Sequence, residues 1–320
     1  MIVCPLCKTQ TNENSFVQSY FSSINDKEYK LYHCFKCQLY FWDPMGIVAE
    51  LYEKEMFDTY DDYHMGDKKL SEWCIPFFTY FPLKKGRLLD VGCADGVFLE
   101  HAQRIGFEVW GIDFDGKSIE AATKKRGLKN VYQMSLENFI DYAHSENLKF
   151  DVITFFEVLE HQDNLDKFLT SIKSLLKDEG YIAGSVPNGE RLLPEFDHLD
   201  YPPHHFTRWS KNVLRIFLNK EDFTHLKFYP ASFFRLVDIS YRLQNIFTNT
   251  IALNFKKTRA ETNVNPIGTS TDKNKKFPFP KKIKKFFILL SALFFSVVVS
   301  KFKKAQNIYF QAAYVPFNRN

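Results

Sequence analysis

The feature that most constrains the fold is the stretch 87–113, in which two apolar runs flank a glycine-containing turn and an amphipathic segment. The apolar run at 88–91 predicts a short buried strand, and Gly92 and Gly96 bracket a turn where backbone can pass close to a ligand. Apolar residues at helical spacing follow, and a second predicted strand occupies 109–112. This order of strand, turn, helix and strand is typical of a nucleotide-binding βαβ unit, so we predict an α/β protein.

The end of the second strand carries Asp113, 21 residues after Gly92, where a carboxylate can accept hydrogen bonds from both hydroxyls of a ribose. A dinucleotide site would need further glycines where the chain has Ala94 and Val97. Asp90 stands instead inside the end of the first strand. This acid and the two glycines resemble motif I of the class I S-adenosylmethionine-dependent methyltransferases. An ordinary βα turn of another α/β protein is the alternative.

The resemblance implies a Rossmann-like fold, with a mostly parallel seven-stranded sheet and helices on both faces, and S-adenosylmethionine as the cofactor. In that family the acid and glycines of the motif hold the methionine end, and the end of the third strand, predicted here at 130–133, contacts the adenine. Cys93 is expected to be a small filler of the turn rather than a nucleophile. The residues expected at the cofactor site are Asp90, Gly92, Cys93, Gly96, Asp113, Phe114, Ser135, Leu136 and Phe156.

Four of the six cysteines form two C-x-x-C pairs, Cys4 with Cys7 and Cys34 with Cys37, separated by 26 residues. Each pair can present two sulfurs to one tetrahedral ion, which predicts a structural zinc ribbon over 1–41 that is closed to catalysis. Four reduced cysteines without metal are the alternative. Similar ribbons precede some sugar C-methyltransferases and some ribosomal RNA methyltransferases, so the ribbon does not identify the substrate.

A fully apolar strand is predicted at 151–156 and is followed at once by Glu157, Glu160 and His161. The string resembles the E-V-x-E-H element of the ubiquinone O-methyltransferases, in which these residues are associated with a divalent ion. The resemblance implies that Mg²⁺ could bind here if water or substrate oxygens complete its shell. The alternative is that Glu157 and His161 hydrogen-bond the turn that positions the substrate. We treat Glu157 and His161 as catalytic candidates and Glu160 as a substrate contact.

A second polar cluster, at 201–210, combines two prolines with His204, His205, Arg208 and Trp209. A histidine can take the proton of an attacking hydroxyl near neutral pH, so His204 or His205 is the candidate base. Arg208 could contact a substrate phosphate or carboxylate, and Trp209 is a further predicted substrate contact. Similar clusters occur in bacterial methyltransferases resembling this one, many from surface-polysaccharide pathways. The alternative is a loop that only closes the pocket.

The net charge of +4 is unevenly distributed, because residues 251–320 contain fourteen Lys or Arg and two acids, which leaves a net −8 on residues 1–250. An acidic body argues against a broad nucleic-acid surface on the catalytic part. A basic tail points to anionic lipid, RNA or disorder. The chain opens without the basic and apolar stretch of a secretory signal peptide, so we expect a cytoplasmic protein.

The predicted segments are a zinc ribbon at 1–41, a helical connector or lid at 42–85, a methyltransferase domain at 86–250, a basic linker at 251–282 and a hydrophobic, basic tail helix at 283–320. Two closing strands of the domain are predicted at 224–229 and 233–239. The uncharged run 286–300 has fifteen residues. As a helix it would be about 22 Å long, short of a hydrocarbon core of about 30 Å.

We therefore expect the lysine-flanked segment 281–304 to lie on an anionic membrane surface, with packing on the body or on a second subunit as the alternative. The function predicted from all these features is methyl transfer from S-adenosylmethionine to an oxygen of a glycan or lipid-linked intermediate, at the inner face of the membrane. An RNA-modifying methyltransferase and a non-catalytic binding module of the same fold are the alternatives.

Overall fold

The computed structural model describes residues 2–47, 64–66, 68–191, 200–231 and 305–316. All of them belong to one of the two units into which the chain divides, namely residues 1–232 together with 305–320. The second unit, residues 233–304, lies outside the described residues. The predicted linker, the run 286–300 and the expected strand at 233–239 fall in that part.

The described strands are β1 (Phe16–Ser22), β2 (Lys27–His33), β3 (Tyr40–Asp43), β4 (Gly86–Val91), β5 (Phe107–Asp113), β6 (Val131–Gln133), β7 (Phe150–Phe156), β8 (Leu176–Pro187), β9 (Thr207–Arg208), β10 (Phe223–Ala231) and β11 (Asn307–Tyr314). The described α-helices are α1 (Ile75–Tyr80), α2 (Val97–Ile105), α3 (Gly116–Lys124), α4 (Leu136–Ser145), α5 (Leu165–Leu175) and α6 (Lys211–Lys220). Short 3-10 turns occur at Glu13–Ser15, Glu72–Cys74 and Leu159–His161.

The larger sheet has seven described strands in the order β10-β11-β8-β7-β4-β5-β6. Strands β4, β5, β6, β7 and β8 run parallel to one another. Strand β11 runs antiparallel to both of its neighbours, β8 and β10. This confirms the predicted mostly parallel seven-stranded sheet. Because β4 and β7 are adjacent, the polar residues that follow them lie at the same edge of the sheet.

Two apolar cores cover the two faces of this sheet, as alternation along β7 shows. Ile153 and Phe155 pack in the core that contains α4, α5 and α6. Val152 and Phe156 pack in the other core, with α1, α2 and α3. A strand buried on both faces explains why its sequence is apolar without interruption. The prediction of helices on both faces is confirmed.

Strand β11 corrects the interpretation of the tail, which the sequence analysis treated as helix throughout 283–320. Residues 307–314 form a strand whose first seven residues are buried. Phe310 packs in one core and Tyr309 in the other. The prediction joined residues 307–314 to the apolar segment before them, although their aromatic and β-branched residues favour a strand. No helix in the described part of the chain is long and apolar enough to cross a membrane.

The smaller sheet has the order β1-β2-β3-β9, with antiparallel pairing throughout. Its first three strands belong to the ribbon, whereas β9 comes from the predicted 201–210 cluster. The ribbon and the larger sheet also share one core, because Cys4, Cys37 and Leu39 cluster with Trp209 and Leu214. The ribbon is therefore integrated with the domain that follows it.

Candidate functional site

The turn after β4 leaves no space for side chains at its two glycines. Gly92 and Gly96 have φ angles of +77° and +74°, which favour glycine. A Cβ on Gly92 would lie 2.6 Å from Cγ2 of Val158, and one on Gly96 would lie 2.4 Å from Cδ1 of Leu128. Val158 belongs to the polar segment after β7. The turn therefore packs directly against the segment that carries Glu157 and His161.

Asp113 ends β5 beside this turn. Its Oδ2 accepts a hydrogen bond from the backbone N–H of Ala94 at 2.8 Å, and its Oδ1 accepts one from Asp115 at 2.9 Å. Burial raises the pKa of Asp113, while both hydrogen bonds favour its ionised form. A carboxylate offers about four acceptor positions. These contacts leave acceptor capacity for a ribose hydroxyl, so the geometry fits the predicted role.

Asp90 is a buried acid at the centre of the sheet. It pairs with Thr154 on β7, whose hydroxyl donates to Oδ1 at 2.7 Å. Burial raises the pKa of Asp90 well above its usual range, and the charge of Asp113 adds to the effect. A positively charged ligand beside Asp90 would favour its ionised form. The methionine end of S-adenosylmethionine, which carries an ammonium and a sulfonium, is such a ligand.

Other residues predicted at the cofactor site have structural partners. Cys93 is buried, and its Sγ lies 2.7 Å from where a Cβ on Gly111 would be, as expected for a small filler. Phe156 packs edge-on to Phe98, with ring centroids 4.7 Å apart. The carbonyl of Phe114 accepts a hydrogen bond from the side chain of Gln133 at 3.1 Å. No described contact assigns these residues to a ligand.

The end of β6 leads directly into α4. Ser135 caps this helix, with its Oγ accepting a hydrogen bond from the N–H of Asn138 at 3.2 Å. Leu136 is buried in the core. The adenine contact predicted for these two residues stays a prediction, and Leu136 has a clear packing role besides.

Arg126, which was not predicted from the sequence, holds the glycine turn through contacts with Asp95. Its Nη2 lies 2.5 Å from Oδ2 of Asp95, a fully buried residue inside the turn, and its Nε donates to the carbonyl of Asp95 at 2.8 Å. Its Nη1 contacts Glu100 on α2 at 2.8 Å. Arg126 therefore fixes the turn to the first part of the helix. Nothing in the local sequence marks this long-range contact.

The connector contacts the cofactor edge through His64, and Arg126 Nη2 also donates to the carbonyls of Gly66 and Lys68. Nε2 of His64 lies 2.7 Å from Oδ2 of Asp115, which also caps α3 and follows Asp113 by two residues. Residues 48–63 of the predicted lid lie outside the described residues. The contact of His64 is consistent with a connector that passes close to the cofactor turn.

Glu157 is held tightly at the end of β7. Its φ of +55° is unusual for a residue with a side chain. Oε1 accepts a hydrogen bond from Ser185 at 2.5 Å, and Oε2 accepts one from Asn307 at 2.7 Å. Burial raises the pKa of Glu157 to about 7, although both hydrogen bonds favour the ionised form. Ser185 and Asn307 were not predicted from the sequence.

Glu160 is buried without a hydrogen-bond partner for either carboxylate oxygen among the described residues. Only 1% of the residue is exposed. Its Oε1 lies 3.9 Å from Nε2 of His205. Burial raises the pKa of Glu160 well above its usual range, and the charge of Glu157 raises it further. A cation or a hydrogen-bond donor from a ligand would satisfy these oxygens.

Three histidines from the two predicted polar segments lie together beside Glu160. Their ring nitrogens fall within 4.8 Å of one another, one from each of His161, His204 and His205. Nδ1 of His161 lies 2.6 Å from the carbonyl oxygen of His204, so this nitrogen carries the proton. Burial lowers the pKa of His161 to about 3, which keeps its ring neutral.

His205 is oriented by Asp200, a residue that the sequence analysis missed. Nδ1 of His205 lies 3.2 Å from Oδ1 of Asp200, which also forms a buried ion pair with Arg191. Burial would raise the pKa of Asp200, but the hydrogen bond with His205 and the charge of Arg191 lower it to about 2. The ionised carboxylate therefore accepts the Nδ1–H of His205 and turns Nε2 toward Glu160. An acid five residues before the paired histidines was the available signal.

The two remaining predicted substrate contacts differ in environment. Trp209 is completely buried, donates from Nε1 to Thr207 Oγ1 at 2.9 Å and packs on Phe217. Trp209 therefore packs in the core with its indole N–H already satisfied, which corrects its predicted role as a substrate contact. Arg208 instead lies over the ring of Tyr201, with Cζ 5.6 Å from the ring centroid.

The four ribbon cysteines converge as predicted. Their sulfurs lie within 4.8 Å of one another, with Cys4 and Cys37 at 3.5 Å and Cys7 and Cys34 at 3.5 Å. Sulfurs at about 2.3 Å from a tetrahedral zinc ion stand about 3.8 Å apart, so the donor set fits Zn²⁺.

The two C-x-x-C turns have the same backbone geometry. After each pair comes a residue with positive φ, Lys8 at 57° and Gln38 at 65°. The N–H of Lys8 donates to Cys4 O at 3.0 Å, and that of Gln38 donates to Cys34 O at 2.7 Å. Two matching turns that present four thiols to one point form the predicted ribbon.

Comparison with known proteins agrees with this geometry. Residues 63–237, more than half of the chain, match the family model described as a methyltransferase domain. The ubiquinone biosynthesis O-methyltransferase of Pelagibacter ubique (strain HTCC1062) is 28% identical over 239 residues, which cover 70% of this chain and 94% of that protein. The enzyme of the same name from Actinobacillus pleuropneumoniae serotype 5b (strain L20) is 38% identical over 109 residues, 32% of this chain and 46% of that protein.

Among solved structures, a methyltransferase dependent on S-adenosylmethionine from Archaeoglobus fulgidus aligns with a TM-score of 0.47 at 20% identity, over 75% of this chain and 92% of that one. The seven-stranded order, the glycine turn with Asp113 at the neighbouring strand end, and the family match over 63–237 agree with one another. The chain belongs to the methyltransferase-domain family and is a class I S-adenosylmethionine-dependent methyltransferase that carries an N-terminal zinc ribbon.

Proposed function

We propose that the protein methylates an oxygen of a glycan or lipid-linked intermediate at the cytoplasmic face of the membrane. The observation that carries this proposal is the pairing of His205 with Asp200 beside the segment that packs on the cofactor turn. A sugar hydroxyl has a high pKa and needs a base before it can attack a methyl group. An oriented imidazole is the group that meets this demand.

The positions of the described side chains support the following course of methyl transfer. The acceptor approaches the turn at Gly92 over the segment that contains Glu157, Glu160 and His161. Its hydroxyl gives its proton to Nε2 of His205, and Asp200 stabilises the imidazolium that forms. His204 is the alternative base. The oxygen would then attack the methyl carbon of S-adenosylmethionine in line as the carbon–sulfur bond breaks, with S-adenosylhomocysteine as the leaving group. Most of the rate would come from holding donor and acceptor in that geometry.

A divalent cation such as Mg²⁺ at Glu157, Glu160 and His161 has support from Glu160 alone. Among the described residues, the groups with at least three potential ligand atoms within 4.8 Å of one another are the four ribbon cysteines and His161, His204 and His205. The buried, unpartnered oxygens of Glu160 fit this group, because an uncompensated carboxylate is costly to bury. Glu157 still has acceptor capacity beside its hydrogen bonds to Ser185 and Asn307. The ion would supply positive charge that favours the ionised carboxylates and a deprotonated acceptor.

Membrane association is proposed for the lysine-rich segment 281–304, where each lysine near an anionic surface contributes about 1 kcal/mol. The segment lies outside the described residues, between β10 and β11 in the chain. A deletion test must therefore spare residues 307–314, which complete the sheet. Deletion of 281–304 should abolish pelleting with anionic liposomes, with neutral liposomes as the control. Unchanged pelleting of the folded variant would refute the anchor.

The test of the main proposal uses labelled S-adenosylmethionine and lipid-linked glycans from cells that lack the protein. Mass spectrometry should detect one added methyl group on a glycan oxygen. Removing a general base typically costs about 10²- to 10⁴-fold, so His205→Ala should lose activity by that factor. His225→Ala, an exposed histidine on β10, is the matched control. If the protein binds S-adenosylmethionine but no methylated glycan is detected, the proposed acceptor is overturned.

A phenolic acceptor is the second candidate, because the Pelagibacter relative is a ubiquinone biosynthesis O-methyltransferase and aligns over 94% of its length. A phenol ionises more easily than a sugar hydroxyl and needs less help from a base. Polyprenylated catechols offered beside the glycans separate the two candidates. Methylation of the catechol alone, with a small effect of His205→Ala, would favour the second.

A further inference from the structure

Three buried N–H donors lie unsatisfied where the ribbon meets the loop of β9. They are Nε1 of Trp42 and the Nε and Nη2 of Arg208, none of which has a hydrogen-bond partner among the described residues. Trp42 is completely buried. Buried donors normally find an acceptor, because an unmade hydrogen bond leaves the desolvation cost of the group unopposed.

Strand pairing brings these donors to one place. Tyr40 on β3 pairs with Arg208 on β9, so Trp42, two residues further along β3, is a diagonal neighbour of Arg208 on the same face. Cζ of Arg208 lies 5.9 Å from the ring centroid of Trp42 and 5.6 Å from that of Tyr201. Tyr20 completes the aromatic group, with its centroid 4.8 Å from Tyr201. The guanidinium therefore sits against an aromatic box built from both modules.

The aromatic contacts leave the donors of Arg208 available. A cation–π contact uses the face of the guanidinium, whereas its N–H groups point outward in the plane. Two other arginines in the described part of the chain show the usual arrangement, since Arg126 pairs with Asp95 and Arg191 pairs with Asp200. Arg208 has no such acid among the residues that the structure describes. Carboxylate and phosphate are the acceptors that match its forked donors.

We propose that Arg208 and Trp42 bind an anionic group of the methyl acceptor, a phosphate or a carboxylate, so that the zinc ribbon forms part of the acceptor site. This rests on the proposed function, because Arg208 lies three residues after His205, the proposed base. The acceptor is then a molecule whose charged group binds between ribbon and loop while its nucleophilic oxygen reaches His205. The ribbon selects the acceptor through Trp42 as well as supporting the loop.

The experiment follows the indole N–H of Trp42 in the full-length, zinc-loaded protein. The chain has four tryptophans, so a nitrogen-15 spectrum has four indole signals, and Trp42→Phe identifies the relevant one. Inorganic phosphate and acetate are titrated separately against chloride of equal ionic strength. Saturable movement of the Trp42 signal with phosphate indicates a phosphoryl group, and movement with acetate indicates a carboxylate. A signal unmoved by both anions overturns the proposal.

Variants of Arg208 test the second donor. Arg208→Met should weaken anion binding at least about tenfold, the effect expected for a charge-assisted hydrogen bond. Arg208→Lys, which keeps the charge but loses the fork, should weaken it less. Arg215→Met is the matched control, because Arg215 also lies over an aromatic ring, that of Phe228 at 5.6 Å, but is exposed on α6. An unchanged titration in folded Arg208→Met overturns the proposal.

The outcomes also separate this inference from the proposed function. S-adenosylmethionine affinity is measured on each variant and should be unchanged in Arg208→Met, because the glycine turn and Asp113 follow β4 and β5 rather than β9. If phosphate or acetate moves the Trp42 signal but no glycan is methylated, the anion subsite stands and the proposed acceptor fails. If glycans are methylated but neither anion moves the Trp42 signal, the proposed acceptor stands and the anion subsite fails.

Discussion

Asn307 donates a hydrogen bond from Nδ2 to Oε2 of Glu157 across 2.7 Å, although 150 residues separate the two. Asn307 opens β11, the strand that enters the sheet after residues 233–304. The last strand of the sheet therefore supports the polar segment after β7. A truncation that removes β11 would remove this support as well as the strand that joins β10 to β8.

The first prediction concerns Glu157, whose pKa burial raises from its usual 4.5 to about 7. A raised pKa means that the folded state favours the protonated form. The contribution of this group to stability is fully present below about pH 4.5 and is lost as pH rises through about 7. Glu157→Gln stays neutral, so it should gain stability relative to the wild type over that interval, by up to about 3 kcal/mol.

Urea unfolding at pH values from 4.5 to 8 measures this difference. Glu13→Gln, on an exposed residue of the ribbon, is the control and should show no such trend. A constant difference between Glu157→Gln and the wild type across the series would contradict the prediction.

The second prediction concerns Arg126, which is 10% exposed and ion-paired with buried Asp95. Arg126→Met leaves that carboxylate without its partner, so we expect a loss of about 3–5 kcal/mol of unfolding free energy. S-adenosylmethionine affinity should also fall, because Asp95 lies inside the glycine turn. Denaturant unfolding and calorimetric titration measure the two effects.

Arg104→Met is the matched control, since Arg104 also contacts Glu100 but has a side chain that is 66% exposed. Exposed ion pairs contribute about 0–1 kcal/mol, so this variant should resemble the wild type. Equal losses of unfolding free energy in Arg126→Met and Arg104→Met would show that burial of the ion pair does not contribute to stability here.

The parts of the fold that could be predicted from the sequence are those set by local patterns. The apolar run before Glu157, the glycines around Ala94 and the paired cysteines each indicate a structure within a few residues. The strand ends then bring Gly92 and Asp113 together, because parallel strands align their carboxyl ends. These expectations about the fold and the ribbon were confirmed.

The remaining features depend on contacts between distant segments. Asn307 holds Glu157 across 150 residues and has no local sequence signature, whereas the only local signal for Asp200 was an acid five residues before His205. Strand β9 has only two residues and gains its partner from the ribbon. Trp209 was predicted as a substrate contact because it lies in a polar cluster, yet its side chain is completely buried and packs on Phe217. Periodicity cannot reveal such long-range pairings.

The third prediction concerns Asp113, which accepts hydrogen bonds from Ala94 and Asp115. Asp113→Ala removes the carboxylate expected to bind the ribose. Hydrogen bonds to charged groups contribute about 1.5–3 kcal/mol, so the affinity for S-adenosylmethionine should fall by about 10- to 150-fold. Glu108→Ala, on an exposed residue of the same strand, should leave the affinity within about twofold. Unchanged affinity of folded Asp113→Ala would exclude the ribose contact.

The fourth prediction links the zinc centre to the catalytic loop. The backbone N–H of Trp42 donates to the backbone carbonyl of Phe206 at 2.8 Å. The backbone N–H of Phe206 donates in turn to the backbone carbonyl of Glu160 at 2.8 Å. Because zinc binding supplies much of the folding free energy of such modules, chelation should unfold the ribbon and leave β9 without its partner. The loop that carries His204 and His205 should then loosen.

Hydrogen exchange before and after chelation measures this effect, with thiol titration as the check that the metal has left. About four thiols should become reactive, one for each ligand of the ion. Protection should fall in β3 and in residues 204–208, whereas β4, which pairs with β5 and β7, should keep its protection. Protection retained in β3 after complete loss of zinc would mean that the shared core, and not the metal, holds the ribbon against the loop.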